Sequence, residues 1–309
     1  MRKTIIDTDP GHDDAIAIMT ALANNDQIEI LGITTVAGNQ TLDKVTDNIL
    51  RLEEVLNVDI PVARGFDRPL VKPLDVQPQA HGESGIDGYD FPETDKKAID
   101  MHAVEFMKET VEKEDKITLV AIGPLTNVAV FLRMYPHLIS KIDSVVIMGG
   151  SVYAGNILRR AEFNIYHDPE AAKIVFGSGA KVVMCGLEVC YSASILFTEI
   201  EEFKGQGKIS DMFYGLMKFY SGYAIRKGWD RTAIFDATTI IWLLHPEYFE
   251  VKEMAVDVEL NGKHTQGMTV CDEVWHGDIV PATVLLSADR EKYVQVIRDA
   301  IHTLDERAA

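Results

Sequence analysis

The stretch Asp7-Thr8-Asp9-Pro10-Gly11-His12-Asp13-Asp14 sets four carboxylates within eight residues. It follows a short apolar run, Thr4–Ile6. It precedes a helical pattern, Asp13 to about Asn24, in which Ile16, Met19 and Ala23 recur on one face. A buried strand that passes through an acidic loop into a helix is the repeating unit of an open α/β sheet. Such sheets bind ligands at the carboxyl ends of their strands. Carboxylates this close repel one another unless a cation or protons neutralise them. Pro10-Gly11 turns the chain sharply enough for Asp9 and Asp14 to converge on one ion, and a helix N-terminus at Asp13 favours negative charge. Oxygen-only ligands select calcium or magnesium over zinc.

The alternation continues outward from this stretch. Ile28–Val36, Ile60–Ala63, Lys116–Ile122, Ser144–Met148 and Ala180–Cys185 read as strands. Leu42–Leu56, the segment around Leu125–Met134, and a run beginning near Pro169 read as helices. The expected fold is an open, mainly parallel, Rossmann-like central sheet with helices on both faces. Two stretches break the pattern. Residues 64–94 are rich in Gly, Pro and polar side chains and are too long for an ordinary connection, which suggests a functional loop or lid. Residues 198–231 are helical and aromatic-rich, and read either as a helical cap or as a packed helical face. Near the C-terminus, Val256–Leu260 and Thr265–Val270 flank Asn261-Gly262, a hairpin signal. No repeat or linker divides the chain, so residues 1–309 are expected to form a single domain.

With 30 basic and 48 acidic residues, the net charge is −18. No Lys/Arg run offers a basic face, which argues against nucleic-acid partners and against an anionic membrane surface. No apolar run reaches the roughly 18 residues of a membrane span. The three cysteines form no C-x-x-C and read as reduced thiols of a cytoplasmic protein. There is no P-loop, G-x-G-x-x-G, H-E-x-x-H or G-x-S-x-G. A carboxylate beside a cation-bound water is suited to hydrolysing a polarised bond, and the spacing does not say which bond.

Five further blocks carry a resemblance. They are Thr34–Asn39 (TTVAGN), His81–Gly85 (HGESG), Gly123–Asn127 (GPLTN), Met148–Gly150 (MGG), and Ala161–Asn164 (AEFN) leading into Asp168–Ala172 (DPEAA). Together with Asp7–Asp14, in this order from residue 4 to about residue 286, they resemble the inosine-uridine-preferring nucleoside hydrolases. The resemblance implies calcium-dependent cleavage of the N-glycosidic bond of a ribonucleoside, giving free base and ribose. It implies that Asp9, Asp14, the Ile122 carbonyl and Asp236 hold one Ca²⁺ per subunit, and that Asp9 activates the attacking water. Asp13 and Asn164 would bind the 2′- and 3′-hydroxyls, and Asn39 would orient the ribose or the water. Asn156 and Glu162 would hold the 5′-hydroxyl, with Met148 near the sugar and Phe163 beside it. His81, Tyr223 and Phe235 are the candidates at the base. A homodimer or homotetramer is also implied.

One position departs from the family pattern. Phe235 precedes Asp236 where the best-known branch carries a His that protonates the leaving base. Phenylalanine cannot donate a proton. His81, Tyr223 or Arg226 could do so instead. Alternatively, an aromatic sandwich involving Phe235 and Trp229 could favour a purine, and the reading leans that way. Two rival functions stand beside hydrolysis of nucleosides. One is a non-catalytic nucleoside- or ribose-binding protein. The other is a magnesium-dependent phosphohydrolase, for which Asp7-x-Asp9 would be the nucleophile motif, although Gly11 stands where that motif usually carries Thr or Val.

Overall fold

The structure is a computed structural model that describes residues 1–274 and 280–308. Its strands in chain order are β1 (Arg2–Thr8), β2 (Ile28–Thr35), β3 (Val62–Arg64), β4 (Ile99–His102), β5 (Ile117–Ala121), β6 (Ile142–Met148) and β7 (Val182–Cys185). They continue with β8 (Ile195–Leu196), β9 (Arg231–Thr232), β10 (Phe249–Val258), β11 (Thr269–Asp272) and β12 (Ala282–Ala288). One ten-stranded sheet runs β11-β10-β12-β7-β6-β5-β1-β2-β3-β4, and β8 pairs with β9 apart from it. From β4 to β12 every neighbouring pair in that order is parallel, whereas β10 is antiparallel to both β12 and β11. The expected open, mainly parallel α/β architecture is therefore present.

The central strands are apolar because both of their faces are covered. Ile6, Ile33, Val120 and Val146 lie in one core, with the helices His12–Ala23, Lys208–Tyr220, Ala237–Leu244 and Arg290–Ala308. Ile5, Leu119, Val145 and Ile147 lie in the other, under the helices Ala103–Lys113, Thr126–Met134 and Pro169–Phe176. Successive residues of one strand thus serve opposite cores. The chain leaves β1 toward β2, β3 and β4 on one side and builds β5, β6 and β7 on the other. This reversal opens a crevice beyond the carboxyl ends of β1 and β5. Thr8, Ile122 and Met148 stand at or just past strand ends there.

Helix Leu42–Leu56 ends as its sequence predicts, at Asn57, whose φ of 52° is left-handed. The C-terminal hairpin is corrected. Strands β10 and β11 do pair antiparallel, but Asn261-Gly262 is not a two-residue turn between them. Residues 259–268 form a longer loop, with Gly267 N–H donating to the Glu259 carbonyl at 2.8 Å. Residues 64–94 carry one helical turn, Pro78–His81, that reaches the crevice. Residues 198–231 serve both alternatives: Phe213 lies in the core, and Tyr223 and Trp229 line the cavity at the crevice.

Candidate active site

β1 delivers Asp9 directly into the Pro10–Gly11 turn. Asp9 is fully buried. Its Oδ2 accepts the backbone N–H of Asn39 at 2.7 Å. The Asn39 side chain donates to the Asp9 carbonyl at 3.1 Å and to Asp14 Oδ2 at 3.3 Å. Asp9 Oδ1 is buried and has no hydrogen-bond partner among the described residues. Two loops close over this carboxylate because they carry glycine. A Cβ on Gly38 would stand 2.1 Å from Asp9 Oδ2, and one on Gly123 would stand 2.6 Å from Oδ1.

Helix His12–Ala23 begins one turn later, with Asp13 and Asp14 in its first turn, where the helix dipole favours negative charge. Thr8 Oγ1 donates to Asp14 Oδ1 at 2.5 Å, and Gly11 N–H donates to Oδ2 at 2.9 Å. Asp236 arrives from the far end of the chain, at the head of helix Ala237–Leu244. One carboxylate oxygen from each of Asp13, Asp14 and Asp236 lies within 4.8 Å of the others, and all three residues are buried.

The electrostatics of this cluster follow from that crowding. Burial raises the Asp9 carboxyl well above its ordinary range, and the Asp14 charge adds to it. Asp13 is pushed up to about 8, first by burial and then by Asp14. Asp236 is raised well above by burial, then by Asp13, Asp14 and Asp9. Asp14 is also raised by burial, against the pull of its bonds from Thr8 and Gly11. Carboxylates crowded and buried this closely are neutralised either by protons or by a cation. The donors fit a hard ion: all are oxygens, and Asp9 Oδ1 is buried and unused. The Ile122 carbonyl accepts Asn164 Nδ2 at 3.0 Å and keeps a second lone pair.

Asn164 and Glu162, each readable in isolation as a cap or a surface acid, are both buried. Asn164 Nδ2 bridges two strand ends, donating to the Ile122 and Met148 carbonyls at 3.0 Å each. Glu162 caps the short helix Phe163–His167. It accepts the backbone N–H groups of Asn164 at 2.9 Å, Ile165 at 3.1 Å and Gly150 at 3.0 Å. Burial nevertheless pushes its carboxyl up to about 7. Asn156 Oδ1 accepts the Phe163 N–H at 2.9 Å. Met148 and Phe163 border the same cavity.

His81, Tyr223 and Phe235 also line this cavity. His81 is 6% exposed, although a loop histidine is usually solvated. Phe235 meets Tyr191 at 5.6 Å between ring centroids, and Tyr191 meets Trp229 at 6.0 Å, both edge to face. Tyr191 and Tyr220 line the cavity too; Tyr220 belongs to the aromatic-rich stretch 198–231, and the sequence assigned a site role to neither. Tyr220 donates from its hydroxyl to Asp13 Oδ2 at 3.2 Å. Asp7 and Asn127 belong to blocks that sequence reasoning did quote, yet the nucleoside hydrolase resemblance gave them no role. Asn127 Nδ2 and Thr34 Oγ1 donate to Asp7 Oδ1 at 2.7 and 2.5 Å.

The model of the inosine-uridine preferring nucleoside hydrolases matches residues 4–299. The chain belongs to the nucleoside hydrolase family. It is 45% identical over 303 residues to the pyrimidine-specific ribonucleoside hydrolase RihA of Escherichia coli, covering 96% of this chain and 97% of that one. Among solved structures it resembles the plant nucleoside hydrolase PpNRh1, at 32% identity and a TM-score of 0.91 over 97% of this chain and 98% of that one. It also resembles a purine-preferring ribonucleoside hydrolase from Gardnerella vaginalis, at 28% identity and a TM-score of 0.92 over 99% and 100% of the two chains. This nucleoside hydrolase therefore has near relatives of opposite base preference. None of its described helices is long and apolar enough to cross a membrane, and Cys185, Cys190 and Cys271 are free thiols.

Proposed function

We propose that the protein hydrolyses the N-glycosidic bond of ribonucleosides in a calcium-dependent reaction, releasing base and ribose. The observation that carries this reading is Asp9 Oδ1: a buried, unpartnered carboxylate oxygen beside a cluster of acids. Asp9, Asp14, Asp236 and the Ile122 carbonyl would hold the ion. Asp13 lies close enough to join them as well as to meet the ribose diol. When bound, calcium supplies charge that lowers the pKa of a coordinated water and a grip on neighbouring hydroxyls.

The remaining chemistry falls to the chain. Asp9 takes the proton of the water that attacks C1′, while Asn39 fixes the Asp9 carboxylate by its backbone N–H. The C1′–N bond breaks with its electron pair passing to the base. The sugar passes through an oxocarbenium-like state, which the surrounding carboxylates stabilise. Asn164 and Asp13 orient the diol, and Asn156 and Glu162 hold the 5′-hydroxyl. Orientation of this kind is worth about 7–11 kcal/mol at best. The departing base needs a proton that Phe235 cannot give, and His81 is a buried imidazole on the wall of the same cavity.

For the base itself we propose pyrimidines, on the strength of the 45% identity with a pyrimidine-specific relative. The purine reading keeps one specific support, the ring cluster of Tyr191, Trp229 and Phe235. We also read the protein as cytoplasmic and homo-oligomeric. A reducing-sugar assay across uridine, cytidine, inosine, adenosine and guanosine, with calcium and with a chelator, tests the proposal. Ribose release that needs calcium and is fastest on uridine or cytidine is expected. Intact nucleosides after prolonged incubation with calcium-loaded protein would leave a binding protein in its place.

A further inference from the structure

Of the tyrosines on the cavity wall, Tyr220 donates its hydroxyl proton to Asp13, whereas the hydroxyl of Tyr191 makes no hydrogen bond among the described residues. Tyr191 also stands in the middle of a chain of rings. It meets Phe235 at 5.6 Å and Trp229 at 6.0 Å, and Trp229 meets Tyr223 at 6.4 Å, all edge to face. All four line the cavity. The chain begins one residue from the acid cluster, since Phe235 precedes Asp236. A ribose diol needs polar partners, and a flat base needs apolar and aromatic ones. A sugar seated on the acids therefore lays its base against these rings.

Tyr191 is anchored more firmly than Tyr223, the other phenol of the chain. It lies on the helix Leu187–Ser192, whose Leu187, Val189 and Cys190 are buried in the core. Cys190 Sγ lies 3.6 Å from the Phe235 carbonyl oxygen, which ties this helix to the segment before Asp236. Tyr191 is 37% exposed, whereas Tyr223, on the single turn Gly222–Arg226, is 49% exposed. A donor held in place before its ligand arrives loses less freedom on binding. Burial pushes the Tyr191 phenol up to about 12, so it keeps its proton near neutral pH. The hydroxyl is thus a fixed, protonated donor set among aromatic rings.

We propose that Tyr191 is a specificity-determining residue: its hydroxyl donates a hydrogen bond to a carbonyl oxygen of a pyrimidine base. This rests on the hydrolase reading above. The base of uridine has no acceptors other than its two carbonyl oxygens, and cytidine shares one of them, O2. As the C1′–N electron pair moves onto the base, negative charge grows on that oxygen and the bond tightens. Tyr191 gives up no proton in the step. Its contribution is a contact that an apolar ring of the same shape does not receive.

One variant and two ligands test this. Tyr191→Phe keeps the ring and its edge-to-face contacts and removes only the hydroxyl, so its melting temperature should match that of wild type. Uridine is the first ligand. The second is the C-riboside of 2,4-difluorobenzene, which has the ribose of uridine and a ring of similar shape, with fluorine in place of both carbonyl oxygens. Its C–C bond is not cleaved, so it acts as a competitive inhibitor. Tyr191→Phe is expected to lower kcat/KM on uridine and on cytidine about 10-fold. The inhibition constant of the C-riboside should stay within about twofold of its wild-type value. Equal losses on uridine and on the C-riboside would mean that Tyr191 serves the sugar or the ring packing, and would overturn the proposal. Unchanged kcat/KM on uridine would overturn it too. Wild-type protein that cleaves no nucleoside would refute the hydrolase reading itself. Calorimetric dissociation constants of uridine and the C-riboside, in wild type and variant, would then decide the role of Tyr191 on the same contrast.

Discussion

Asn39 donates its backbone N–H to Asp9 Oδ2 at 2.7 Å, and the other oxygen of that carboxylate is left buried and without a partner. One residue, thirty positions along the chain, thereby fixes the plane of the acid that is proposed to activate the water. Asp9→Asn keeps the shape and removes the base. It is expected to lower kcat by about 10²–10⁴-fold. The melting temperature of the metal-free variant should hold or rise, because one of several crowded acids is gone. A reducing-sugar assay beside a thermal melt checks both, and unchanged turnover would remove Asp9 from its role.

Gly38 and Asp9 set a second prediction. The Cβ of Gly38→Ala would fall 2.1 Å from Asp9 Oδ2 and 2.7 Å from Pro124 Cδ. Forced overpacking of this kind costs about 1–3 kcal/mol. The carboxylate must also shift, so activity should fall further than stability does. Urea denaturation and kcat on the same sample separate the two, and a variant as active as wild type would show that the carboxylate need not be held there.

The pH dependence of stability should report the metal. In the metal-free protein, burial pushes Asp7 and Glu162 up to about 7 and Asp13 up to about 8. Folded values above the unfolded ones mean that the folded state binds protons more tightly. Their stabilisation is fully present below about pH 4 and is lost as pH rises through about 7–8. Calcium favours the deprotonated cluster, so its stabilising effect grows over that same range and its binding releases protons. At a hundred times its Kd, it should add about 2.7 kcal/mol. The melting-temperature gap between calcium-loaded and chelator-treated protein should be wider at pH 8 than at pH 5. An equal gap at both would mean that the acids of this cluster do not bind the ion.

Phe235 offers the test of specificity. It lines the cavity edge-on to Tyr191, with a centroid distance of 5.6 Å. Phe235→His places a second proton donor beside the leaving base. It is expected to raise kcat on inosine and uridine by about tenfold or more. The measurement is initial rates on both nucleosides at one calcium concentration. Rates that stay level or fall would show that protonation at this position does not limit the reaction.

The sequence by itself determined the central parallel strands, several of the helices between them and the place of the acids. Strands β1, β2, β5, β6 and β7 are short apolar runs between helical patterns, and burial on both faces leaves that mark in any parallel sheet. Asp7–Asp14 declared a cluster of charge because like carboxylates adjacent in sequence cannot avoid one another. The tertiary structure alone decided the rest. That Asp236 joins Asp13 and Asp14, that Asn164 ties the carbonyls of Ile122 and Met148, and that Tyr220 reaches Asp13 are facts of residues brought together across long separations. No local periodicity encodes them. The Asn261-Gly262 signal failed for the same reason in reverse, since packing around Gly267 and Glu259 drew a longer loop than the local turn preference implied. His12 shows the division within one residue. Its place in the motif is plain in the sequence, but its ring partners, a carbonyl at residue 87 and an imidazole at residue 81, are met only in the folded chain. Hydrogen-bond partners belong to the folded chain, because only folding takes them out of water and leaves each donor and acceptor to the one neighbour it has.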